Sequence, residues 1–214
     1  ALTEDVANLF NHITGFGRPP RYRELLVAPE HIRTGLLAEI RRVAGAHRDG
    51  TPGRIRMKVN ALIDAPIMEA LYEASQAGVP VDLVVRSIAG LVPGVPGVSE
   101  NITVRSVVGR FLEHSRIFSF HSGDERRVWI GSADMMVRNL DHRIEAIAPV
   151  DDPVCADELD AIIDTMLADT ALAWRMASDG SWSRVTPAPG DEPFNCQDAL
   201  MRRTVERAAE GGAT

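Results

Sequence analysis

The feature that most constrains the fold is a strand, a helix and a second strand in close succession. Residues 54–62 alternate between apolar and polar side chains, which is the period-two pattern of a strand with two different faces. Residues 67–76 have helical spacing and end before Gly78, and residues 81–85 form an apolar run typical of a buried parallel strand. This spacing predicts a βαβ unit, and hence an α/β fold built on a sheet that contains parallel strands.

Further elements are predicted on both sides of this unit. The expected N-cap of the first helix is Thr3, and the prolines and glycines of residues 90–97 predict an irregular loop. A hairpin over residues 174–185 is expected to turn at Asp179-Gly180. Helices are predicted at residues 2–14, 29–44, 157–171 and 197–209, and strands at residues 25–28, 102–104, 115–120, 128–132 and 144–150.

Charge and composition narrow the class of protein. The net charge of -7 argues on its face against phosphate or nucleic-acid partners, but the surplus acid lies in residues 144–214, which carry 14 acidic side chains against 5 basic ones. Cys155 and Cys196 are far apart and show no metal-ligand spacing. No signal peptide or spanning apolar run is found, so a soluble protein of a reducing, cytoplasmic compartment is expected.

The first candidate site is Glu113-His114-Ser115-Arg116, at the head of an apolar strand. His114 and Arg116 are two residues apart, so they should share one face of the strand, about 7 Å from each other. A phosphate bound between them would meet a nucleophile or proton donor and a fixed positive charge together. The alternative is an edge-strand histidine that makes a single hydrogen bond.

Three more segments could bind an anion. Ser132 lies in a small-residue turn after a strand, where its hydroxyl could donate to an oxyanion. Arg86 ends a buried strand, and ligands of open α/β sheets gather at the carboxyl ends of strands. Arg54, Arg56, Lys58 and Asn60 alternate along one strand and predict an open cationic face, for which a merely solvated face is the alternative.

These segments together resemble a known family. The order His-x-Arg, strand, Gly-Ser-Ala-Asp resembles the H-x-K and G-S-x-N signature of the phospholipase D superfamily. With residues 9–29, 54–87, 93–118 and 131–150 included, the chain looks like the C-terminal, second phospholipase D-like domain of the long-form polyphosphate kinases. The resemblance implies a phospholipase D-like mixed sheet flanked by helices on both faces. It assigns residues 1–20 to a helix and linker from the preceding domain, and residues 21–214 to the C-terminal domain.

The resemblance also implies a function and a set of site residues. In that family the γ-phosphate of ATP passes reversibly to polyphosphate through a phosphohistidine, with Mg²⁺ assisting. The matching positions make Arg86 and His114 the nucleotide-phosphate ligands, with His114 also a candidate proton donor. The other expected phosphate-binding residues are Arg116, Lys58, Asn60 and Ser132. Glu145 is the acid expected to orient a histidine.

The rest of the machinery is expected outside this chain. In the family the phosphohistidine and the magnesium-binding residues lie in a preceding domain, so the chain looks like a fragment that is inactive alone and has no metal ligand of its own. The expected partners are ATP or ADP, polyphosphate, the preceding domain and further copies of the same protein, but not nucleic acid. An association with the membrane is also left open as an expectation.

Two departures from the family and two alternative functions stand beside this reading. Ser87 and Ala89 replace a glycine and a cysteine that usually follow the V-V-R strand, which puts nucleotide affinity in question. A phospholipase D-like phosphodiesterase or nuclease would need a dimer to supply a second motif, and the arginine and aspartate of this sequence count against it. A non-catalytic assembly module, using the acidic helix predicted at residues 157–171, is the other alternative.

Overall fold

The computed structural model describes residues 1–15 and 21–211, so most of the predicted linker at residues 15–20 lies outside the described residues. Nine strands form one mixed sheet in the order β1-β7-β6-β5-β2-β3-β4-β8-β9. The strands are β1 Leu26–Val27, β2 Gly53–Leu62, β3 Val81–Ala89, β4 Ile102–Val107, β5 Arg116–Ser122, β6 Glu125–Gly131, β7 Ala146–Pro149, β8 Ala173–Met176 and β9 Trp182–Arg184. The helices are α1 Leu2–Ile13, α2 Ile32–Arg48, α3 Ala65–Gln76, α4 Val137–His142, α5 Pro153–Leu167 and α6 Cys196–Gly211.

The centre of the sheet is the predicted βαβ unit. β2 and β3 pair in parallel, with Ile55 opposite Val81, and α3 connects them. β4 continues the parallel set beside β3, whereas β5 runs antiparallel to β2 on its other side. The carboxyl ends of β2 and β3 therefore meet the amino end of β5 at one edge of the sheet.

Helices cover both faces of this sheet. On one face α2 and α3 bury apolar residues of the central strands, among them Ile55, Met57 and Leu83. On the opposite face the apolar side of α5 packs on β5 and β6 through Ile163, and residues of α5 and α6 contact β3 and β4. The predicted class, an α/β mixed sheet flanked by helices on both faces, is confirmed.

Buried carboxylates fix the connections between these elements. Asp64 caps α3 by accepting from the Ile67 amide at 3.3 Å, and Arg33 of α2 donates to both oxygens of the same carboxylate. Asp5 of α1 accepts three backbone hydrogen bonds of 2.7 to 3.0 Å from residues 23–25. Within the described part of the chain, no helix is long and apolar enough to cross a bilayer.

Several predicted boundaries were wrong. α1 starts at Leu2 with Ala1 at its N-cap, so Thr3 does not cap it. α5 begins at Pro153 rather than residue 157, because Asp152 accepts from the Cys155 amide and starts the helix one turn earlier. β3 extends to Ala89, and α4 was not predicted. The hairpin prediction is confirmed, since β8 and β9 pair and Gly180 takes the positive φ of +81° that its turn requires.

Candidate functional site

The edge of the sheet at the ends of β2 and β3 gathers four of the predicted site residues. Asn60 lies near the end of β2, and Arg86 lies in the neighbouring stretch of β3. Arg116 begins β5 on the other side of β2, and His114 lies two residues before it. Hydrogen bonds link all four through one carboxylate, that of Asp134, which follows β6. We refer to these residues as the site cluster: Asn60, Arg86, His114, Arg116 and Asp134.

Arg86 is oriented by a single contact that leaves most of its guanidinium available. Its Nε donates to Oδ1 of Asn60 at 2.7 Å. Neither of its two terminal nitrogens has a hydrogen-bond partner among the residues that the structure describes, and the side chain is partly exposed. Four N–H groups in a planar fork therefore remain available, and this fork is the arrangement that binds phosphate oxygens in pairs.

Arg116 is engaged in a different way. Its Nε and one terminal nitrogen donate to Asp134, at 3.2 and 2.7 Å, and its other terminal nitrogen lies 2.9 Å from Nδ1 and 2.8 Å from the carbonyl oxygen of His114. Four of its five N–H groups are thus used inside the protein. The predicted proximity of His114 and Arg116 is confirmed, and it is closer than the strand repeat alone would give.

Asp134 joins two strands and one arginine. Its side chain is only 4% exposed, and Oδ1 accepts from the backbone amides of Asn60 and Ala61 at 2.7 and 3.2 Å. Burial by itself raises the pKa of a carboxyl, but the hydrogen bonds from Arg116 and from these amides outweigh it and lower the pKa of Asp134 below its usual value. Asp134 is therefore a charged, fully used acceptor.

Lys58 lies beneath the histidine and not in the open. The predicted open cationic face was wrong at Arg56 and Lys58, which are 4% and 1% exposed, whereas Arg54 remains exposed. Arg56 pairs with Asp160 and Asp164 of α5. The ammonium of Lys58 donates to the Ser115 carbonyl at 3.0 Å and lies 3.5 Å from Oε2 of Glu113. Lys58 thus touches both neighbours of His114, and burial is the main reason that its pKa is lowered.

The loop before β5 is also fastened from the other side. The amide of Gln197, on α6, accepts from the Phe111 backbone N–H and donates to the Phe111 carbonyl, both at 3.0 Å, and donates to Glu113 at 2.9 Å. His114 itself is exposed, while the residues on either side of it are bound to the sheet and to α6. The histidine is therefore presented on a supported loop.

Ser132 and Glu145 form a separate pair on the flank of the site cluster. The Ser132 hydroxyl donates to Oε2 of Glu145, whose Oε1 accepts from the Asn139 amide at 2.7 Å. The single hydroxyl proton of Ser132 is thus used within the protein. The hydroxyl does not offer this proton to an oxyanion, contrary to the prediction. Glu145 was predicted to orient a histidine, but its hydrogen bonds go to Ser132 and Asn139.

A divalent cation does not fit the donor set of the site cluster. Mg²⁺ prefers carboxylate, carbonyl and water oxygens, and the one carboxylate of the cluster, Asp134, is buried and already accepts two hydrogen bonds from Arg116 and two from backbone amides. Among the residues described, no group of three or more His, Cys, Asp or Glu side chains could hold a metal. No step of the chemistry discussed below is assigned to a metal in this chain.

Comparison with known proteins identifies the family. The model of the family described as polyphosphate kinase C-terminal domain 2 matches residues 25–197, which is most of the chain. The chain belongs to this family. The polyphosphate kinase of Streptomyces coelicolor is 48% identical to it over 211 residues, and that of a Synechocystis strain is 46% identical over 209. The chain spans 28 to 29% of the length of these two relatives.

A solved structure supports the same assignment. The polyphosphate kinase from Porphyromonas gingivalis superposes on 96% of the chain with a TM-score of 0.91 and 37% identity, and the match covers 32% of that protein. The family assignment confirms the resemblance found in the sequence. It does not favour the phosphodiesterase or the assembly module as the function of this chain.

Two residues of the site were missed from the sequence. Asp134 stands in the Gly-Ser-Ala-Asp turn, but nothing local shows that it reaches across to β2 and β5. Gln197 is separated from Glu113 by 84 positions and lies in a helix of unremarkable pattern. An acid directly after a small-residue turn is the sequence signal that could have indicated Asp134. No sequence signal indicated Gln197.

Proposed function

We propose that this chain is the phosphate-binding C-terminal part of a polyphosphate kinase, and that it binds ATP and polyphosphate at the site cluster. The observation that carries the proposal is Arg86, which Asn60 holds in the C-terminal half of β3 and whose four terminal N–H groups have no partner among the described residues. The exposed His114 belongs to the same hydrogen-bonded cluster. Ligands of open α/β sheets bind at the carboxyl ends of the strands.

The charges in this region suit a polyanion. Three cations, Arg86, Arg116 and Lys58, lie near the edge of the sheet, against the two carboxylates of Asp134 and Glu113. The acidic surplus of the chain lies elsewhere, mostly after residue 143. A local positive balance raises the concentration of an anionic ligand at the site even though the whole chain is acidic.

The reaction implied by the family begins when the bond between the γ-phosphorus of ATP and its bridging oxygen breaks. The phosphoryl group passes to a histidine nitrogen elsewhere in the full protein, and ADP leaves with the bridging oxygen. A terminal oxygen of polyphosphate then attacks the phosphorus, and the histidine is released. Phosphoryl transfer depends on positioning and charge stabilisation, which Arg86 and His114 of this chain would supply to the phosphates.

Other parts of the proposal lie beyond this chain. Mg²⁺ would be bound with the nucleotide by residues of the rest of the full-length protein. An oligomeric assembly and a contact with the preceding domain stay predictions, as do the boundary at residue 20 and any association with the membrane. Use of ATP as donor is consistent with a cytoplasmic protein.

Binding by the chain itself is the first test. Calorimetric titration with polyphosphate and with ATP is expected to show saturable binding that weakens as salt is added, without turnover. Arg86→Gln should lower both affinities, while Arg54→Gln, which removes an exposed arginine paired with Asp82, should leave them unchanged. Equal binding by all three proteins, or no binding by the unmodified chain, would contradict the proposal.

Turnover is tested in a complete enzyme. The segment of the Streptomyces coelicolor kinase that matches this chain can be replaced by the chain itself, giving a full-length chimera. In that chimera His114→Ala is expected to lower polyphosphate synthesis about 100-fold or more, because a positioned acid or base group contributes 10²–10⁴-fold. A near-normal rate for His114→Ala in an active chimera would contradict the role proposed for this histidine.

A further inference from the structure

The contact between Arg116 and His114 fixes more than a distance. A guanidinium carries only N–H donors and no acceptor, so the Nδ1 atom that lies 2.9 Å from Arg116 has to accept the hydrogen bond. A neutral imidazole has one protonated and one unprotonated nitrogen. If Nδ1 is the acceptor, the proton lies on Nε2.

Arg116 in turn is fixed by Asp134. The carboxylate holds Nε and a terminal nitrogen of Arg116 side by side, which is the two-point geometry that sets the plane of a guanidinium. The third nitrogen then has no freedom to turn away from His114, to which it also donates at the carbonyl oxygen. Asp134 is itself anchored to the backbone of β2, so the whole arrangement rests on the centre of the sheet.

We infer that Asp134 and Arg116 are positioning residues that hold His114 in the tautomer with its proton on Nε2, so that the ring offers a ligand an N–H group and not a lone pair. The inference rests on the proposed function and deepens it by stating what His114 does to a phosphate. An Nε2–H group hydrogen-bonds to a phosphate oxygen. It does not attack phosphorus, because that would require an unprotonated outward nitrogen.

This inference changes the role of Arg116. Arg116 was predicted to clamp phosphate beside His114, but only one of its five N–H groups has no partner among the described residues. Arg86 keeps four such groups and is the clamp. The two arginines of the site therefore do different work, since one binds the ligand and the other sets the histidine.

Nitrogen NMR of the isotopically labelled chain tests the tautomer directly. In the unmodified chain, at a pH where the ring is neutral, the imidazole of His114 should show a protonated Nε2 and an unprotonated Nδ1. In Arg116→Met the two nitrogen resonances should move toward each other as the second tautomer becomes populated. Asp134→Asn, which weakens the grip on Arg116, should cause a smaller change of the same sign.

The matched control is Arg86→Met, which removes one positive charge from the same site but no contact of His114. It should leave the His114 resonances as in the unmodified chain while polyphosphate binding falls. A protonated Nδ1 in the unmodified chain, or an unaltered pattern in Arg116→Met, would overturn the inference. Failure of the proposed function would appear separately, as absence of polyphosphate binding by the unmodified chain.

Since Arg116→Met leaves Asp134 buried without its partner, the variant could unfold. The double variant Arg116→Met/Asp134→Leu removes both charges together, and paired removal is tolerated better than removal of one partner. It is expected to give the same mixed tautomer pattern as Arg116→Met. A single Nε2-protonated tautomer in the folded double variant would also overturn the inference.

Discussion

Two polar clusters lie along the same face of β2 and both contain arginine, histidine and aspartate, yet their arginines are paired with acids to different extents. The far cluster lies around Arg56, four residues before Asn60, which places it about 13 Å away along the strand. It consists of Arg56, Ser119, His121, Arg126, Asp157, Asp160 and Asp164. Both clusters combine arginine, histidine and aspartate.

The difference lies in the ratio of charges and in the exposure of the side chains. In the far cluster three carboxylates meet two arginines, and Asp160 alone accepts from Ser119 at 2.7 Å and pairs with Arg56 at 2.6 Å. α5 supplies these acids, of which Asp160 is buried while Asp157 and Asp164 are exposed. At the site cluster the acids are fewer, Arg86 is partly exposed and His114 is exposed. An arginine becomes a binding group only where the chain leaves its donors unused.

The largest effect on stability is expected when the buried ion pair of the far cluster is broken. Asp160→Ala leaves Arg56 buried without its main partner, and such a loss costs about 3–5 kcal/mol of unfolding free energy. Polyphosphate affinity of the folded fraction should stay the same, because the site cluster is intact. Urea denaturation measures the first and calorimetry the second. Asp164→Ala, which removes the more exposed partner of Arg56, is the control and should cost far less.

The next largest effect is expected on polyphosphate affinity, when an arginine of the site cluster is changed. Arg86→Gln should weaken polyphosphate binding by about 1.5–3 kcal/mol, the usual contribution of hydrogen bonds to a charged group, with little change in stability. The same substitution at Arg126 of the far cluster should lower stability and leave binding alone. If Arg126→Gln lowered affinity as much as Arg86→Gln, the two clusters would not differ in the way described.

The pH dependence of stability reports on Asp134, the acid of the site cluster. The pKa of Asp134 is lowered in the folded chain from its ordinary value of 3.8, so the folded state binds fewer protons than the unfolded state around that pH. Its contribution is complete above that value and is lost as pH falls through the folded pKa. Asp134→Asn should reduce the acid slope of stability, which for one group is at most about 1.4 kcal/mol per pH unit. An unchanged slope in acid unfolding curves would contradict this assignment.

The smallest effect concerns the departure at Ser87. Its exposed hydroxyl donates to the Asn60 carbonyl at 2.6 Å, and it lies in β3 beyond Arg86. Ser87→Gly should cost about 1 kcal/mol of stability, since it removes this hydrogen bond and adds a strand glycine, and ATP affinity should hardly change. Markedly tighter ATP binding in calorimetry would instead show that Ser87 keeps the phosphates away from the backbone.

Local sequence pattern was sufficient to predict the central strands of the sheet and most residues of the site cluster. The alternation of β2, the apolar run of β3 and the small residues after β6 predicted the strand segments that carry Arg86 and Asn60 and lie near His114. The state of each side chain depends on tertiary packing that no local pattern records. Lys58 and Arg56 looked alike on the strand, but distant segments bury both. Arg56 meets acids of α5, which begins more than 90 residues later, and Lys58 contacts the loop before β5.

The same limit explains the reassigned residues. Arg116 looked like a phosphate clamp because its partner, Asp134, comes from another strand connection 18 positions away. Ser132 looked available because Glu145, which uses its hydroxyl, lies on the far side of α4. In each case a buried acid determined whether a polar side chain faces the ligand, and sequence alone does not show which acid reaches which donor.

The central claim is that the edge around His114 binds phosphate and the similar cluster around His121 does not. The most direct test follows both imidazoles by NMR while polyphosphate is added to the chain, at low and at moderate salt. The His114 resonances are expected to shift saturably and less at the higher salt, while those of His121, held by Asp160, stay in place. Equal shifts of both histidines, or a shift of His121 alone, would contradict the account.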